Sequence, residues 1–563
     1  MPIQSRWTTP VPEVSLTTWL FGSASAPLPD RKVFIDTENP DTRFLTFSDF
    51  RLWSARTALG LQRSGLRRGD RVLVFSGNDI FFPVLFTGII MAGGIFTGAS
   101  PAFTPNELAQ QLSDSGASIV FAATGLLRTA QEEVKLVSSY QIRTYAFDHS
   151  LGNCNPKDFG AGSWTKLLAD AEDVKDFDWV EPSDPKSTIC CLNYSSGTTG
   201  KPKGVEISHY SYVANGEAVV LHNRLYPNHK KRTQRSRVLC FMPMYHAAAQ
   251  TQYAINFPKM GVPTYVMPAY NFEKMLQHVQ AFEISYLGCA PPIMLSLAKS
   301  SLCNKYDLSS ITEITCGTAP LAREVAEEVQ KLWPVPLRIG QGWGMTELTC
   351  TSTICHPTCE DITTVGEAAP NITIKIMDGD REITQPNKAG ELWVAGPTVM
   401  RGYWRNPKAT RESVVEDSDG TRWLKTGDIG YADRYGPGAL LYIVDRLKEL
   451  IKVKGFQVAP AELEGLLLDR KDVIDAGVVG VVVSGEELPR AYVVKNSDVT
   501  EQEIMQWVES KLAKYKWLRG GVAFVDNIPR TRSGKIVRRV LRERAQAEVG
   551  NQQSAVSIRA KLS

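Results

Sequence analysis

Between Tyr194 and Val205 the chain reads YSSGTTGKPKGV, and little besides anion binding calls for that composition. Glycines at 197, 200 and 204 allow positive φ and close approach of backbone to an anion. Ser195, Ser196, Thr198 and Thr199 supply donors, and Lys201 and Lys203 supply positive charge. The apolar run Ile189, Cys190, Cys191, Leu192 reads as a buried strand, so the loop sits at a strand end. It is not a Walker A loop. That pattern has a glycine separated by four residues from Gly-Lys-Ser/Thr, and those places hold Ser195 and Gly200-Lys201-Pro202. A flexible surface turn is the alternative, but such density of glycine, hydroxyl and lysine seldom arises without an anion.

The remainder reads as layered α/β structure. Apolar strands at Arg71 to Phe75, Ser118 to Ala122 and Thr264 to Met267 alternate with helical stretches at Ser48 to Ser64 and Phe272 to Phe282, a pattern of largely parallel sheets. From Gly366 the texture changes to short strands at Thr373 to Met377, Gly390 to Ala395 and Ala439 to Val444. At 563 residues at least two domains are expected. The favoured boundary is Asp445-Arg446-Leu447-Lys448, which gives a large domain over 1–445, a lobe over 446–547 and a polar tail over 548–563. Pro460 to Glu464 opens a helix, with proline early and acids in its first turn.

Bulk properties exclude several classes. A net charge of +3, from 63 basic and 60 acidic residues, argues against a chain that coats nucleic acid or an anionic membrane. Ten scattered cysteines suit a reducing compartment. Cys350, Cys355, His356 and Cys359 suggest either a metal or thiols lining a loop, and match no paired CxxC pattern. The uncharged run Ile80 to Gly98 contains Pro83, Gly88, Gly93 and Gly94, which speaks against a membrane span. No secretory signal is visible. Ala560-Lys561-Leu562 resembles a peroxisomal tripeptide displaced by one residue, and the terminal Lys-Leu-Ser is a poor match, so a cytoplasmic setting is expected.

Further segments stand in a telling order: Met242-Pro243-Met244-Tyr245-His246, Gln341-Gly342-Trp343-Gly344-Met345-Thr346-Glu347, Thr426-Gly427-Asp428, DRLKELIKVKGFQVAPAELE from Asp445 to Glu464, and PRTRSGK from Pro529 to Lys535. Together with the 194–205 loop they resemble the adenylate-forming enzymes: acyl-CoA synthetases, luciferases and nonribosomal peptide adenylation domains. The resemblance runs from about Leu45 to Arg544 and is nearest the 4-coumarate-CoA ligase-like branch. It implies a large N-terminal domain of stacked α/β sheets with a small β-barrel, and a smaller, mobile α+β C-terminal lobe. It places a buried helix and strand in the Ile80 to Gly98 run.

The chemistry implied is activation of a carboxylate by ATP with magnesium, then transfer of the acyl group to the thiol of coenzyme A. By resemblance, residues 195–203 hold the β- and γ-phosphates, Thr346 meets the α-phosphate, Glu347 ligates magnesium and Asp428 accepts from the ribose hydroxyls. Thr318, Ala319, Pro320, Gln341, Gly342, Trp343 and Arg446 complete the nucleotide site. Ala247, Ala248, Gln252, Gly317 and Cys350 line the acid pocket, with His246 beside the carboxylate. Lys535 bridges carboxylate and α-phosphate; an exposed lysine in a basic stretch, or a nucleic-acid patch with Arg530, Arg532, Arg538, Arg539, Arg542 and Arg544, is the competing reading. Lys448 matches a hinge, and Lys452, Lys454, Gly455 and Gln457 match the face turned inward for thioester formation.

Departures from the branch bear on the substrate. Ala248 stands where hydroxycinnamate ligases commonly carry a tyrosine, and Leu348-Thr349-Cys350-Thr351 replaces small residues and a proline. A bulkier aryl acid or a medium-chain acid is expected rather than 4-coumarate. Met267-Pro268-Ala269-Tyr270 lacks a lysine that meets CoA phosphate in plant members, with Lys274 a substitute from the next turn. That leaves a carrier-protein phosphopantetheine open as acceptor. Trp343 replaces an adenine-stacking tyrosine and keeps a flat apolar face. Light-emitting oxygenation and a nonenzymatic nucleotide-binding module are the remaining alternatives.

Overall fold

The computed structural model describes residues 2–137, 141–147, 162–175, 177–179, 181–195, 202–454, 456–483 and 486–549. The expected loop residues Ser196, Gly197, Thr198, Thr199, Gly200 and Lys201, with Gly455 and the tail from 550, lie outside them.

Two seven-stranded sheets of the expected α/β kind make up most of the chain. The first runs Lys203–Ser208, Ile189–Ser195, Ile95–Ala99, Arg71–Phe75, Ile119–Ala123, Arg143–Phe147, Gly162–Ser163. It is parallel except for its first pair, an antiparallel hairpin whose register sets Ser195 opposite Lys203. The described ends of the anion-loop sequence, Ser195 and Lys203, are thus paired at an edge hairpin. The second sheet runs Arg338–Gln341, Glu313–Cys316, Tyr286–Cys289, Val238–Cys240, Thr264–Val266, Lys32–Asp36, Phe44–Thr46, parallel but for its last pair.

The uncharged 80–98 run becomes a core helix, Phe82–Met91, and the strand Ile95–Ala99. All ten helical residues are buried, and Pro83 sits in the first turn, where its missing N–H costs nothing. The helix lies tight on Phe47–Arg63 because Gly88 has no side chain; a Cβ there would come within 2.7 Å of Thr57 Cβ. Among the described residues no helix is long and apolar enough to cross a membrane.

From Gly366 onward the expected short strands, with Ile3–Gln4 from the N-terminus, form a third, antiparallel sheet of seven, centred on Thr373–Asp378, Gly390–Ala395 and Arg422–Ala432 and joined by Leu441–Arg446. Beyond Arg446 the elements are new: the hairpin Ile451–Val453 and Phe456–Val458, helices Pro460–Leu468 and Glu501–Lys511, and the three-stranded sheet Val473–Val483, Glu486–Lys495, Val522–Phe524. They enclose a separate core around Val458, Leu463, Val478, Val493 and Ile504. Asp445 couples the two regions, its Oδ2 accepting the Ala461 N–H at 3.0 Å at the start of helix Pro460–Leu468.

The basic stretch is largely paired within the chain. Arg530 holds Asp475, Arg538 holds Glu464, Arg542 holds Glu449, and Arg539 and Arg544 pair with Glu543 and Glu548 on their own helix. Of the six arginines, Arg532 is exposed with no carboxylate partner among the described residues, which leaves little charge to grip a nucleic acid.

Candidate active site

One cavity of about 320 Å³ opens at the carboxyl ends of the second sheet, where ligands of parallel α/β sheets ordinarily bind. It gathers residues from motifs hundreds of positions apart: His246, Gly317, Thr318, Gln341, Gly342, Trp343, Thr346 and Lys535, with Ala247, Ala248, Gln252 and Cys350. Ala319 and Pro320, expected beside them, follow Thr318 without lining the cavity.

Local backbone builds the mouth. Thr318, Thr349 and Cys350 hold φ of +73°, +53° and +86°, uncommon for non-glycine residues and typical of functional loops. Gly344 is obligatory beneath them, since a Cβ would lie 1.5 Å from the Cys350 carbonyl oxygen. After His246 the helix Ala247–Ala249 loosens into a seven-residue π-helix, Gln250–Asn256, a form concentrated at functional sites. From it Gln252 reaches the cavity and donates to Thr351 Oγ1 at 3.3 Å.

Asp428 is 5 % exposed. The Trp343 indole N–H donates to its Oδ2 at 2.9 Å, while Arg446 Nε lies 3.1 Å from its Oδ1. That approach is an ion pair without hydrogen-bond alignment, so Oδ1 is a buried acceptor with no donor. Thr426 shapes the turn by accepting the Asp428 N–H at 3.1 Å while donating to Leu392 O. Trp343 therefore does more than offer a flat face, because it orients this carboxylate. Gln341 lines the cavity, and its side-chain amide accepts from Leu321 N–H at 3.0 Å and donates to Ile362 O at 2.8 Å, which braces the 317–322 loop from behind.

Glu347, also 5 % exposed, accepts from the Tyr403 hydroxyl at 2.9 Å. The Lys203 ammonium lies 4.2 Å from the centre of the same tyrosine ring. Tyr403 is brought there by the segment 401–404, which pairs along Lys203–Ser208 through Glu206 N–H to Gly402 O and Trp404 N–H to Gly204 O. Sequence reading missed Tyr403, and nothing in its neighbourhood could have flagged a partner for Glu347 so far away. Among the described residues Ser195 Oγ is buried without a hydrogen-bond partner, at the base of the anion loop.

Lys535 arrives on a tight turn: Gly534 donates to Thr531 O at 2.9 Å, and Thr531 N–H donates to Lys535 O at 2.8 Å. Gly534 has φ +87°, and a Cβ would meet Ala290 Cβ at 2.8 Å. Thr318 Oγ1 donates to Ser533 O at 3.1 Å, fastening the turn to the cavity rim. Burial and the Arg446 guanidinium hold the Lys535 ammonium below the ordinary lysine range, against the pull of Asp428 and Glu347. Burial, with Lys535 beside it, pushes the His246 imidazole down to about 4.

The thioester-face residues lie elsewhere. Lys452, Lys454 and Gln457 are exposed on their hairpin and line no part of the cavity, and Lys454 Nζ sits 3.3 Å from Glu486 Oε1. Lys448 is exposed in the turn after Leu441–Arg446. Lys274, the expected substitute on the CoA path, pairs with Glu38 at 3.1 Å. Cys355 Sγ donates to Gln341 O at 3.2 Å, and no group of three or more His, Cys, Asp or Glu among the described residues is arranged to hold a metal ion. Cys350 and Cys355 line the cavity.

Residues 22–404 match the family model of the AMP-binding enzymes, and residues 462–535 match that family's C-terminal domain. The chain is 36 % identical over 555 residues to phenylacetyl-CoA ligase epaB of Aspergillus niger, covering 97 % of this chain and 99 % of that protein. It is 34 % identical over 533 residues to 4-coumarate-CoA ligase-like 2 of Arabidopsis thaliana, covering 92 % and 89 %. The solved anthranilate CoA ligase AuaEII with anthranoyl-AMP shares the fold at a TM-score of 0.81 and 20 % identity, covering 95 % of this chain and 98 % of that one.

Proposed function

We propose, from the premise that this chain belongs to the AMP-binding enzyme family and is an acyl-CoA ligase, that its cavity converts an aryl or medium-chain carboxylic acid to the acyl-adenylate before thioester formation. The observation that carries this reading is the Lys535 ammonium, delivered into one cavity with His246 and Thr346 and within electrostatic reach of Asp428 and Glu347.

A carboxylate is a poor acyl donor because its leaving group would be oxide. Attack of a carboxylate oxygen on the α-phosphorus of ATP forms the mixed anhydride and expels pyrophosphate. The barrier is the meeting of two anions, so cations and donors aimed at the developing charge supply most of the acceleration. Lys535 bridges carboxylate and α-phosphate, and Thr346 donates to the same phosphate. The unpaired Asp428 Oδ1 accepts a ribose hydroxyl, while Arg446 and Trp343 hold that carboxylate in place. Ser195, Lys203 and the loop between them take the outer phosphates. His246, neutral at pH 7, contacts the carboxylate without adding charge.

Glu347 fits a magnesium site: a single buried carboxylate, oriented by Tyr403, together with substrate phosphate oxygens is a common way to hold that ion. Magnesium, when bound, neutralises charge on the departing pyrophosphate.

For the second step the thiol of CoA attacks the acyl carbon and AMP leaves. Lys535 stands in the way of that approach. Rotation of a lobe beginning at 446 about Lys448, relative to 1–445, withdraws it and brings in Lys452, Lys454, Gly455 and Gln457; the separate core beyond Arg446 and the exposed hairpin support this division, and the lobe runs past the expected boundary at 547, since Glu548 pairs with Arg490 and Val549 is buried. Free cysteines throughout the described chain support a cytoplasmic setting. A carrier-protein acceptor draws on one observation, the engagement of Lys274 with Glu38.

Pyrophosphate release with ATP and magnesium over a panel of aryl and medium-chain acids, with and without CoA, tests the reading. Acid-dependent release accelerated by CoA, with a matching thioester mass, is expected. Release indifferent to CoA but coupled to a phosphopantetheinylated carrier would move the acceptor assignment, and silence across the panel would overturn the reading.

A further inference from the structure

The end of the cavity remote from Lys535 carries charge. In the parallel register Glu313 faces Arg338 and Cys316 faces Gln341. The cavity therefore follows these strands from the nucleotide end to a floor at their starts, about 10 Å away at the usual rise per residue. Glu313, 7 % exposed, accepts from Arg338 Nη1 at 2.6 Å, from the Tyr226 hydroxyl at 2.8 Å and from Arg232 Nη2. All four residues line the cavity, and Val238, which the register sets level with Glu313, lines it beside them with Phe257, Met260 and Val262.

One carboxylate thus faces two guanidiniums. The histidine nearby adds no charge, because burial pushes His222 down to about 4 and its Nε2 lies 2.8 Å from Cys355 O. The floor thus holds one excess positive charge, carried by an Arg232 side chain that is 33 % exposed, and an anion entering the cavity can complete it. The two arginines are not equivalent. Arg338 braces the loop, with Nη2 donating to Cys355 O at 2.8 Å and His356 O at 3.1 Å, while its Nε is buried with no partner among the described residues. Arg232 donates only to Glu313 and to Asn223 Oδ1, at 2.8 Å in the latter case, among the described residues. Its guanidinium has more N–H donors than these acceptors use, in the planar fork that suits a carboxylate.

We infer that the acid this enzyme activates carries a second anionic group at its far end, held at the cavity floor by Arg232: a dicarboxylic acid or another acid-terminated acyl chain. The inference rests on the acid-activating reading above and narrows its substrate class. A purely structural triad accounts for Glu313 but leaves the excess charge, the buried Arg338 Nε and the remaining donors of Arg232 available to an anion.

The test compares kcat/KM for acid-dependent pyrophosphate release within matched pairs: octanoate and octanedioate, decanoate and decanedioate, phenylacetate and para-carboxyphenylacetate. Wild type, Arg232→Met and Arg232→Lys are measured. In at least one pair the acid-terminated member is expected to win by more than the statistical factor for two equivalent ends. Arg232→Met should lower that ratio by roughly ten- to a hundredfold, with Arg232→Lys between. A ratio within one variant is independent of how much of it folds, and the wild-type ratios stand without any variant. Wild type favouring the uncharged member in every pair, or a preference unmoved by Arg232→Met, would overturn this inference while leaving the acid-activating reading intact. Silence of wild type with all the acids would overturn both.

Discussion

Lys535 is a cation whose value depends on where its turn delivers it. Replacement by alanine is expected to slow acid-dependent pyrophosphate release by about a hundred- to a thousandfold. Thioester formation from supplied acyl-adenylate should persist, because the proposed mechanism assigns Lys535 to the first step alone. The step needs the ammonium, and burial and Arg446 lower its pKa. The alkaline limb of the pH profile should therefore fall below the ordinary lysine value of about 10.4. His246 stays neutral down to about 4, so no inflection from it is expected near pH 6.5. Its depressed folded value also sets a stability sign: its contribution is present above the unfolded value and is lost as pH falls from about 6.5 through 4. Tyr403→Phe removes one hydrogen bond to Glu347, worth about 1 kcal/mol, and should raise the magnesium concentration needed for half-maximal activity several-fold. Lys535 and Glu347 were legible in sequence through the resemblance of their motifs to the adenylate-forming enzymes. Tyr403 was not, since its partnership exists only once the 401–404 segment pairs beside the anion hairpin.

Short elements set the site's precision. Gly534→Ala forces an L side chain into φ +87° and against Ala290, so the PRTRSGK turn can no longer seat. Pyrophosphate release should fall while the melting temperature stays near wild type, because the strained turn can undock without opening a core. Gly344→Ala differs, since its Cβ would overlap the Cys350 carbonyl and the loop carrying Thr346 and Glu347 must move; activity and stability should drop together. The apolar runs and helical periods announced the elements themselves, and Phe272–Phe282 falls where its pattern put it. The strand expected at Ser118 to Ala122 begins and ends one residue later, at Ile119–Ala123, because pairing with Arg71–Phe75 fixes its register. The π-helix Gln250–Asn256 left no trace in composition, because an extra residue per turn is a product of packing. Gln341 shows the converse: its motif was legible, but its task of tying Leu321 to Ile362 was not.

At the scale of the molecule, the charges that looked like a nucleic-acid patch hold the C-terminal elements together. Arg538, with 12 % of its side chain exposed, joins Glu464 on helix Pro460–Leu468. Arg538→Ala leaves a buried carboxylate unpaired and should destabilise the region beyond Arg446 by about 3 kcal/mol, seen as an early transition in calorimetry that leaves the large domain's melting in place. The layered α/β architecture was legible because strand and helix signals alternate for hundreds of residues. The cavity's charged floor was not, since Arg232, Glu313 and Arg338 carry no local motif and converge only in the sheet.

The most direct measurement follows oxygen. With a substrate acid labelled with heavy oxygen in its reacting carboxyl group, ATP and CoA, passage through an acyl-adenylate requires one labelled oxygen to leave in AMP for each thioester formed. Labelled AMP in that proportion is the expected result. Unlabelled AMP, or label in orthophosphate alongside ADP, would contradict it.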